Sequence, residues 1–68
     1  MEQENIKLND LVKKKRKEKR FSQIELAKKI GTTQAIISNF ENRKAGINSK
    51  LLELIFNELD IKIEKENN

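Results

Sequence analysis

The sequence predicts an all-α protein of about four helices, followed by a short C-terminal β-strand that pairs across a dimer. Two patterns lead to this prediction. Apolar residues recur at helical spacing in four stretches, and strict polar–apolar alternation replaces that spacing after Leu59. The 68 residues form one domain, which buries only about 60% of its unfolded surface. Because the chain has no cysteine to form a disulfide, we expect a homodimer to provide the missing stability.

The composition excludes several classes of function. The chain has neither histidine nor cysteine, so it lacks a zinc site and the usual acid–base and nucleophile pairs. We therefore expect a non-enzymatic protein with no catalytic residue, no metal and no cofactor. No apolar run approaches the roughly 20 residues that cross a bilayer. The acidic N-terminus has no signal-peptide pattern, which predicts a cytoplasmic protein.

Positive charge is concentrated in the body of the chain. Residues 7–50 hold 13 lysines and arginines against 4 acidic residues, whereas residues 51–68 hold 2 against 5. This distribution is typical of a protein that holds phosphate groups on one side. Other interpretations of the basic run at residues 13–20 are a solvated helix face, an anionic-lipid site and a localisation signal.

The first helix is predicted over residues 7–19. Leu8, Leu11 and Val12 follow the i, i+3, i+4 spacing of a core-facing stripe. The stripe then stops at a run of charged residues. Within that run, Lys15 is expected to lay its methylene stem on the core while its ammonium group stays in water.

The second helix is predicted over residues 23–30, and its boundaries have clear signals. Ser22 and Glu25 fit a capping box at its start. Gly31 supplies the left-handed residue that ends it, since only glycine adopts that conformation without steric cost. The apolar face of this helix consists of Leu26, Ala27 and Ile30.

The third helix is predicted over residues 34–42, with Ile37 and Phe40 on its buried side. Its other face carries short uncharged side chains, namely Thr33, Gln34, Ala35, Ser38 and Asn39. Such side chains suit the edges of base pairs, because glutamine pairs with adenine, hydroxyl groups serve either partner, and an alanine methyl contacts the thymine methyl. The alternative interpretation is an ordinary solvated helix face.

The second and third helices resemble a known family. The matching positions are Ser22, Gln23, Leu26, Ala27, Ile30, Gly31, Gln34, Ile37, Ser38 and Glu41. They look like the helix-turn-helix of Cro/C1-type (Xre-like) DNA-binding domains, which implies a lambda-repressor-like bundle. Within that family, residues 25–31 and 37–42 are closest to HipB-type antitoxins, which are small repressors encoded beside a HipA-type serine/threonine kinase toxin.

The resemblance also implies which residues meet DNA. Gln23 would contact the phosphate backbone and hydrogen-bond Gln34 at the start of the recognition helix. The N-terminal residues of that helix would face the bases, and the loop after it would meet phosphates. The DNA-binding residues predicted in this way are Ser22, Gln23, Thr33, Gln34, Ala35, Ser38, Asn39, Asn42, Arg43 and Lys44.

Three of the chain's departures from the family pattern bear on its helix packing and turns. Lys15 stands where the family usually has an aliphatic residue, so the second half of the first helix is expected to pack less well. Arg20 stands where glycine often ends that helix, so the link to the second helix is expected to use a different turn. The loop at residues 45–48 lacks the family's proline; Gly46 is expected to permit its turn, with Ile47 inserted beneath.

The fourth helix is predicted over residues 50–59, capped by Asn48 or Ser49. Its core-facing residues are expected to be Leu52, Ile55, Phe56 and Leu59. Leu51 and Leu54 fall off that face, and such apolar surface favours a partner interface. The alternative is that they are simply exposed, as leucines on small proteins often are.

Residues 60–64 alternate polar and apolar side chains, which predicts a dimerisation strand. A single strand needs a second strand to pair with, and the same segment of a two-fold-related copy is the simplest source. HipB-type antitoxins, which the chain resembles, dimerise through a C-terminal strand in this way. The alternative is an extended or helical tail. The predicted dimer interface comprises Leu51, Leu54, Ile61 and Ile63. The predicted divisions are an N-terminal tail (1–6), the helix-turn-helix domain (7–59), the strand (60–64) and a disordered tail (65–68).

These observations predict a sequence-specific, DNA-binding transcriptional repressor. By resemblance, it would be the antitoxin of a HipA-type kinase toxin–antitoxin system and would autoregulate its operon. Its expected partners are double-stranded operator DNA, a second copy of the chain and the kinase. The alternatives are a free-standing phage-type repressor or restriction-controller protein without a toxin, an adaptor that has lost DNA binding, and a basic amphipathic peptide on a membrane surface.

Overall fold

Four α-helices form the part of the chain that the computed structural model describes, residues 7–62. They are α1 (Leu8–Glu18), α2 (Gln23–Ile30), α3 (Gln34–Glu41) and α4 (Ser49–Leu59). Their bounds agree with the sequence prediction to within one residue at each end. In this described part, no helix is both long and apolar enough to pass through a membrane.

Side-chain caps fix the start of three helices. The Ser22 hydroxyl accepts the Glu25 N–H at 3.0 Å while the Glu25 carboxylate accepts the Ser22 N–H at 2.8 Å, so the predicted capping box is confirmed. The Thr33 hydroxyl accepts the Ile36 N–H at 3.3 Å and so caps α3. α4 is capped by Asn48, whose side-chain oxygen accepts the Leu51 N–H at 2.8 Å.

All four helices end in the same kind of turn. After each one, a residue adopts a left-handed conformation: Arg20 (φ 61°), Gly31 (φ 78°), Arg43 (φ 61°) and Asp60 (φ 57°). The N–H of the next residue donates to a carbonyl five positions earlier, which is the Schellman arrangement. These bonds are Phe21 to Arg16, Thr32 to Ala27, Lys44 to Asn39 and Ile61 to Phe56, at 2.8–3.1 Å.

Two sequence expectations about turns are therefore wrong. Arg20 does not force a different link after α1, because it adopts the left-handed conformation that glycine would supply. The chain reverses after α3 at Arg43, and Gly46 has no left-handed φ. At Arg20 and at Arg43, the backbone hydrogen bonds of the turn compensate for the steric cost of a Cβ atom in the left-handed conformation.

The core lies where the four helices meet, with α1 and α2 each packed against α3 and α4. Its fully buried apolar residues are Val12, Leu26, Ala27, Ile30, Ile37, Phe40, Ile55 and Leu59. Partly buried apolar residues pack against them: Phe21, Ile47, Leu51, Leu52, Leu54, Phe56 and Ile61. Leu8 differs from the prediction, because it is 37% exposed and contributes little to the core stripe of α1.

α4 and the residues that follow it differ from the prediction in two respects. Leu51 and Leu54 are half-buried and pack against the core, as Leu52 and Phe56 do, so they are not off the packed face. Asp60 ends the helix, and Ile61 folds back against the core without joining a strand within residues 7–62. Ile63 and the rest of the predicted strand lie outside the described residues, as do both predicted tails.

Candidate DNA-binding interface

The outward face of α3 presents the polar side chains that the sequence singles out. Gln34, Ala35 and Asn39 are exposed and Ser38 is half-buried, whereas Ile37 and Phe40 turn into the core. Residue 33 is exposed too, although its hydroxyl already caps the helix. α3 therefore has one apolar side that anchors it and one polar side that is accessible to a ligand.

Gln23 connects α2 to this polar face. Its Oε1 accepts a hydrogen bond from Gln34 Nε2 at 3.1 Å, so the pairing that the family resemblance implies is present. Gln23 is half-buried at the first turn of α2. A helix N-terminus has unpaired N–H groups and a positive dipole end, so this position also suits a phosphate oxygen.

Behind Gln23 lies a buried ion pair that the sequence analysis missed. Arg16 Nε and Nη2 donate to the two carboxylate oxygens of Glu41 at 2.7 and 2.9 Å, and Arg16 Nη1 donates to the Phe21 carbonyl at 2.7 Å. Gln23 Nε2 adds a further bond to Glu41 Oε1 at 3.0 Å. The two charged residues are only 6% and 4% exposed, so they form part of the core between α1 and α3.

One sequence signal could have revealed this pair. Arg16 is four positions after Val12, and Glu41 is four positions after Ile37, so each continues the buried stripe of its helix. A positive and a negative residue that both fall on core-facing positions are expected to pair, because an unpaired buried charge is costly. Because lysines flank Arg16 in the sequence, it was interpreted as part of a solvated run of charged residues.

Two opposing influences act on the pKa of Glu41. Burial alone raises it, but the hydrogen bonds from Arg16 and Gln23, with the positive charges of Arg16 and Lys13, lower it further than burial raises it. The net shift is downward from the ordinary value of 4.5. Glu41 is therefore an ionised carboxylate at neutral pH and only accepts hydrogen bonds.

The loop after α3 holds the three predicted phosphate-binding residues, Asn42, Arg43 and Lys44, and all are exposed. Asn42 Nδ2 donates to Ser38 Oγ at 3.4 Å. The Arg43 guanidinium is 2.6 Å from Asp10 on α1, a contact that the sequence did not indicate. Asn9 Nδ2 donates to the Phe40 carbonyl at 2.8 Å, and this bond holds the start of α1 beside the end of α3.

Comparison with known proteins identifies the class. The helix-turn-helix family model matches residues 12–65, and the chain belongs to that family, in the Cro/C1-type form that its motif resembles. No curated protein gives a significant match.

Solved structures extend this assignment. The chain is 32% identical to HipB in the structure of the HipA–HipB–O2–O3 complex, with a TM-score of 0.76 and 97% of each chain covered. It is 31% identical to a HipB variant in an O2 20mer complex, with a TM-score of 0.76 and coverage of 98% of this chain and 97% of that one. A structure of "MDT Protein" is 32% identical, also with a TM-score of 0.76 and 97% coverage of both chains. The resemblance to HipB-type proteins is thus confirmed.

Proposed function

We propose that this chain is a sequence-specific repressor that binds operator DNA as a homodimer and serves as the antitoxin of a HipA-type serine/threonine kinase. The observation that carries the DNA-binding part is the polar outer face of α3, which is held from behind by the Gln34–Gln23 hydrogen bond. A helix with short amide and hydroxyl side chains on its outer N-terminal half fits the major groove.

The residues divide into two groups with different tasks. Thr33, Gln34, Ala35 and Ser38 read base edges, and Asn39 contacts either a base or a phosphate. Positioning on the backbone falls to Ser22, Gln23, Asn42, Arg43 and Lys44. Phosphate contacts set affinity and register, whereas base contacts set the sequence that is preferred.

The charge distribution supports a duplex partner. Residues 7–50 have a net charge of +9, from 13 basic and 4 acidic residues. Positive charge of this size attracts the phosphate backbone and makes affinity fall steeply with salt, because binding releases condensed counterions.

A symmetric dimer completes the DNA-binding unit. We place its contact at Ile63 and at the accessible parts of Leu51, Leu54 and Ile61, which the packing against their own core leaves half-exposed. Residues 60–64 would pair as strands across the two-fold axis, after a domain that spans residues 7–59. Two copies of α3 then reach the same side of a duplex at half-sites about one or two helical turns apart.

The kinase partner is proposed from the solved relatives. HipB, which this chain resembles over 97% of its length, is seen in a complex with HipA and O2–O3. A chain of the same fold and a similar sequence along its whole length is a candidate for the same pair of partners. The alternative is a free-standing phage-type repressor or restriction-controller protein, which shares the fold but has no toxin.

Selection from a pool of random duplexes tests the DNA-binding function. The expected result is enrichment of a two-fold symmetric sequence, with a log affinity that falls linearly against log salt. The control is a shuffled duplex of the same composition, which should bind more weakly than the selected sequence at the same salt concentration. Selection of no preferred sequence would contradict the proposal, and a negligible salt slope would favour the adaptor alternative.

Affinity purification from the native cell tests the antitoxin function. The expected result is that a kinase of the HipA type co-purifies with the tagged chain and stays bound after the DNA is digested. Recovery of operator DNA without such a kinase would favour the free-standing repressor.

A further inference from the structure

A continuous chain of hydrogen bonds runs from the core to the surface of α3. Arg16 donates two bonds to Glu41 at 2.7 and 2.9 Å, Gln23 Nε2 donates to Glu41 Oε1 at 3.0 Å, and Gln34 Nε2 donates to Gln23 Oε1 at 3.1 Å. Glu41 is 4% exposed and Gln34 is exposed. The four side chains come from three helices, so the fold itself holds the chain together. We call these four residues the hydrogen-bond relay.

The carboxylate fixes the direction of every bond in the relay. A guanidinium group only donates and an ionised carboxylate only accepts, whereas an amide can do either. Gln23 must therefore turn its NH₂ group towards Glu41, which leaves its carbonyl oxygen facing Gln34. Gln34 must therefore donate to that oxygen with its own NH₂ group. One N–H and the carbonyl oxygen of Gln34 then remain for an outside partner.

This remaining edge has a particular complement among the bases. One donor beside one acceptor matches N7 and N6 of adenine, which is the bidentate contact that glutamine makes in the major groove. Reversal of the Gln23 amide would turn the Gln34 carbonyl inward and leave two N–H donors outside. Two donors match the O6 and N7 acceptors of guanine. The direction of the relay therefore bears on which purine is preferred.

We propose that Glu41 is a specificity-determining positioning residue. It is buried behind Gln23, but it sets the direction of the Gln23 amide and thereby the hydrogen-bonding edge that Gln34 presents to a base. The inference rests on the proposed function, in which Gln34 reads a base pair. It adds a residue on the inner side of α3 to those on the outer face that determine the preferred sequence.

Two variants test this inference. Glu41→Gln replaces the carboxylate with an amide that can donate or accept, so both directions of Gln23 become available. This variant leaves the Arg16 charge without its partner, which is destabilising. The second variant therefore combines Glu41→Gln with Arg16→Met, which removes both charges and keeps the core filled. Circular dichroism melting establishes that each variant is folded at the temperature of the binding measurement.

The measured quantity is the ratio of affinities for duplexes that differ only by adenine or guanine at the base position assigned to Gln34. That position is found first, as the one where Gln34→Ala changes the selected sequence. We expect both variants to lower the adenine-to-guanine ratio by about tenfold, which is within the discrimination of one bidentate contact. In a Gln23→Ala background the relay is already broken, so Glu41→Gln should change the ratio no further.

Asn48→Ala is the matched control, because it removes the cap of α4 and destabilises the fold without touching the relay. Its adenine-to-guanine ratio should equal that of the unmodified chain. If the two relay variants bind all sequences more weakly but keep the ratio, Glu41 has only a structural role and the inference is overturned. If the unmodified chain prefers no sequence, the proposed function fails and the relay fails with it.

Discussion

At the scale of single residues, the ionised state of Glu41 makes stability depend on acid. Its pKa lies below the ordinary value of 4.5, so the unfolded chain takes up a proton at this residue before the folded chain does. The contribution of Glu41 to the free energy of unfolding is therefore complete above about pH 4.5 and is lost as the pH falls through the folded pKa. Once Glu41 is protonated, the buried guanidinium of Arg16 lies beside a neutral acid.

As the pH falls from about 5 to about 3, we predict that the free energy of unfolding falls more steeply in the unmodified chain than in Glu41→Gln. The variant has no proton to take up at this position. Denaturant titrations across that range measure the difference. The comparison is needed because the pKa of Asp60 is also lowered, by its hydrogen bond and charge interaction with Lys19. Identical pH dependence in the two proteins would show that the Arg16–Glu41 pair does not stabilise the ionised state.

Gln34 is predicted to carry sequence preference. Gln34→Ala should lose about 1–3 kcal/mol at one base position and relax the selected sequence there. Lys44→Ala and Arg43→Ala are the matched controls in the loop after α3. They should weaken all duplexes alike and reduce the salt slope by roughly one each. If the Gln34→Ala variant selects the unchanged sequence at every position, Gln34 does not read a base.

The sequence predicted the exposed half of the candidate site but not its buried support. Gln34, Ala35 and Asn39 were recognisable because short polar side chains share one helix face. Arg16 and Glu41 were not, since charged residues are assigned to solvent unless a partner is visible, and their partner is 25 positions away in the chain. Long-range pairing of this kind depends on how the helices pack, which local spacing does not encode.

At the scale of elements, the helix boundaries were predictable and two of the turns were not. Caps such as Ser22 and Asn48 act within a few residues, so their signals are local. The left-handed conformations of Arg20 and Arg43 depend instead on how the following segment packs. Phe21 lies against the core directly after Arg20, and its burial compensates for the strain at that position.

Arg20→Gly should therefore stabilise the domain. Relief of the left-handed strain gains roughly 1–2 kcal/mol, and the extra freedom of glycine in the unfolded chain offsets about 0.5–1 kcal/mol of that gain. A net increase of up to about 1.5 kcal/mol would raise the melting temperature by several degrees in a domain of this size. Thermal melts at one fixed protein concentration measure it, since the proposed dimerisation would make Tm depend on concentration.

Arg20→Ala is the matched control for this prediction. It removes the same side chain but keeps a Cβ atom at the left-handed position, so it should not reproduce the gain. Equal melting temperatures for the glycine and alanine variants would show that strain at residue 20 does not limit stability.

At the scale of the whole molecule, the proposed dimer determines how far apart the two recognition helices lie. Ile63→Asp should shift the dimer towards monomer, because a charged side chain would enter the apolar strand contact that we propose at residues 60–64. Analytical ultracentrifugation over a range of protein concentrations measures the change. Ile63→Val is the control and should remain dimeric. An intact dimer in Ile63→Asp would place the interface elsewhere.

Ile61 would be a poor substitute in that experiment. It packs against the core of its own chain, so a polar replacement would lower the stability of the monomer as well as affect any dimer. The alternating pattern at residues 60–64 predicted a strand from sequence alone. In the structure, Ile61 follows the turn that ends α4 and packs against the core, which accounts for its apolar side chain without a strand. An apolar residue just after a helix can therefore belong either to a helix-ending turn or to a strand, and alternation over a few residues does not distinguish the two.

The central claim is that the outer face of α3 is the surface that meets duplex DNA. The most direct test is amide chemical-shift mapping of the ¹⁵N-labelled protein during titration with its selected duplex. We predict that the largest changes fall on residues 33–39 and 42–44, with a second set at the start of α2 around Gln23. Large changes confined to α4, with residues 33–39 unaffected, would contradict the account.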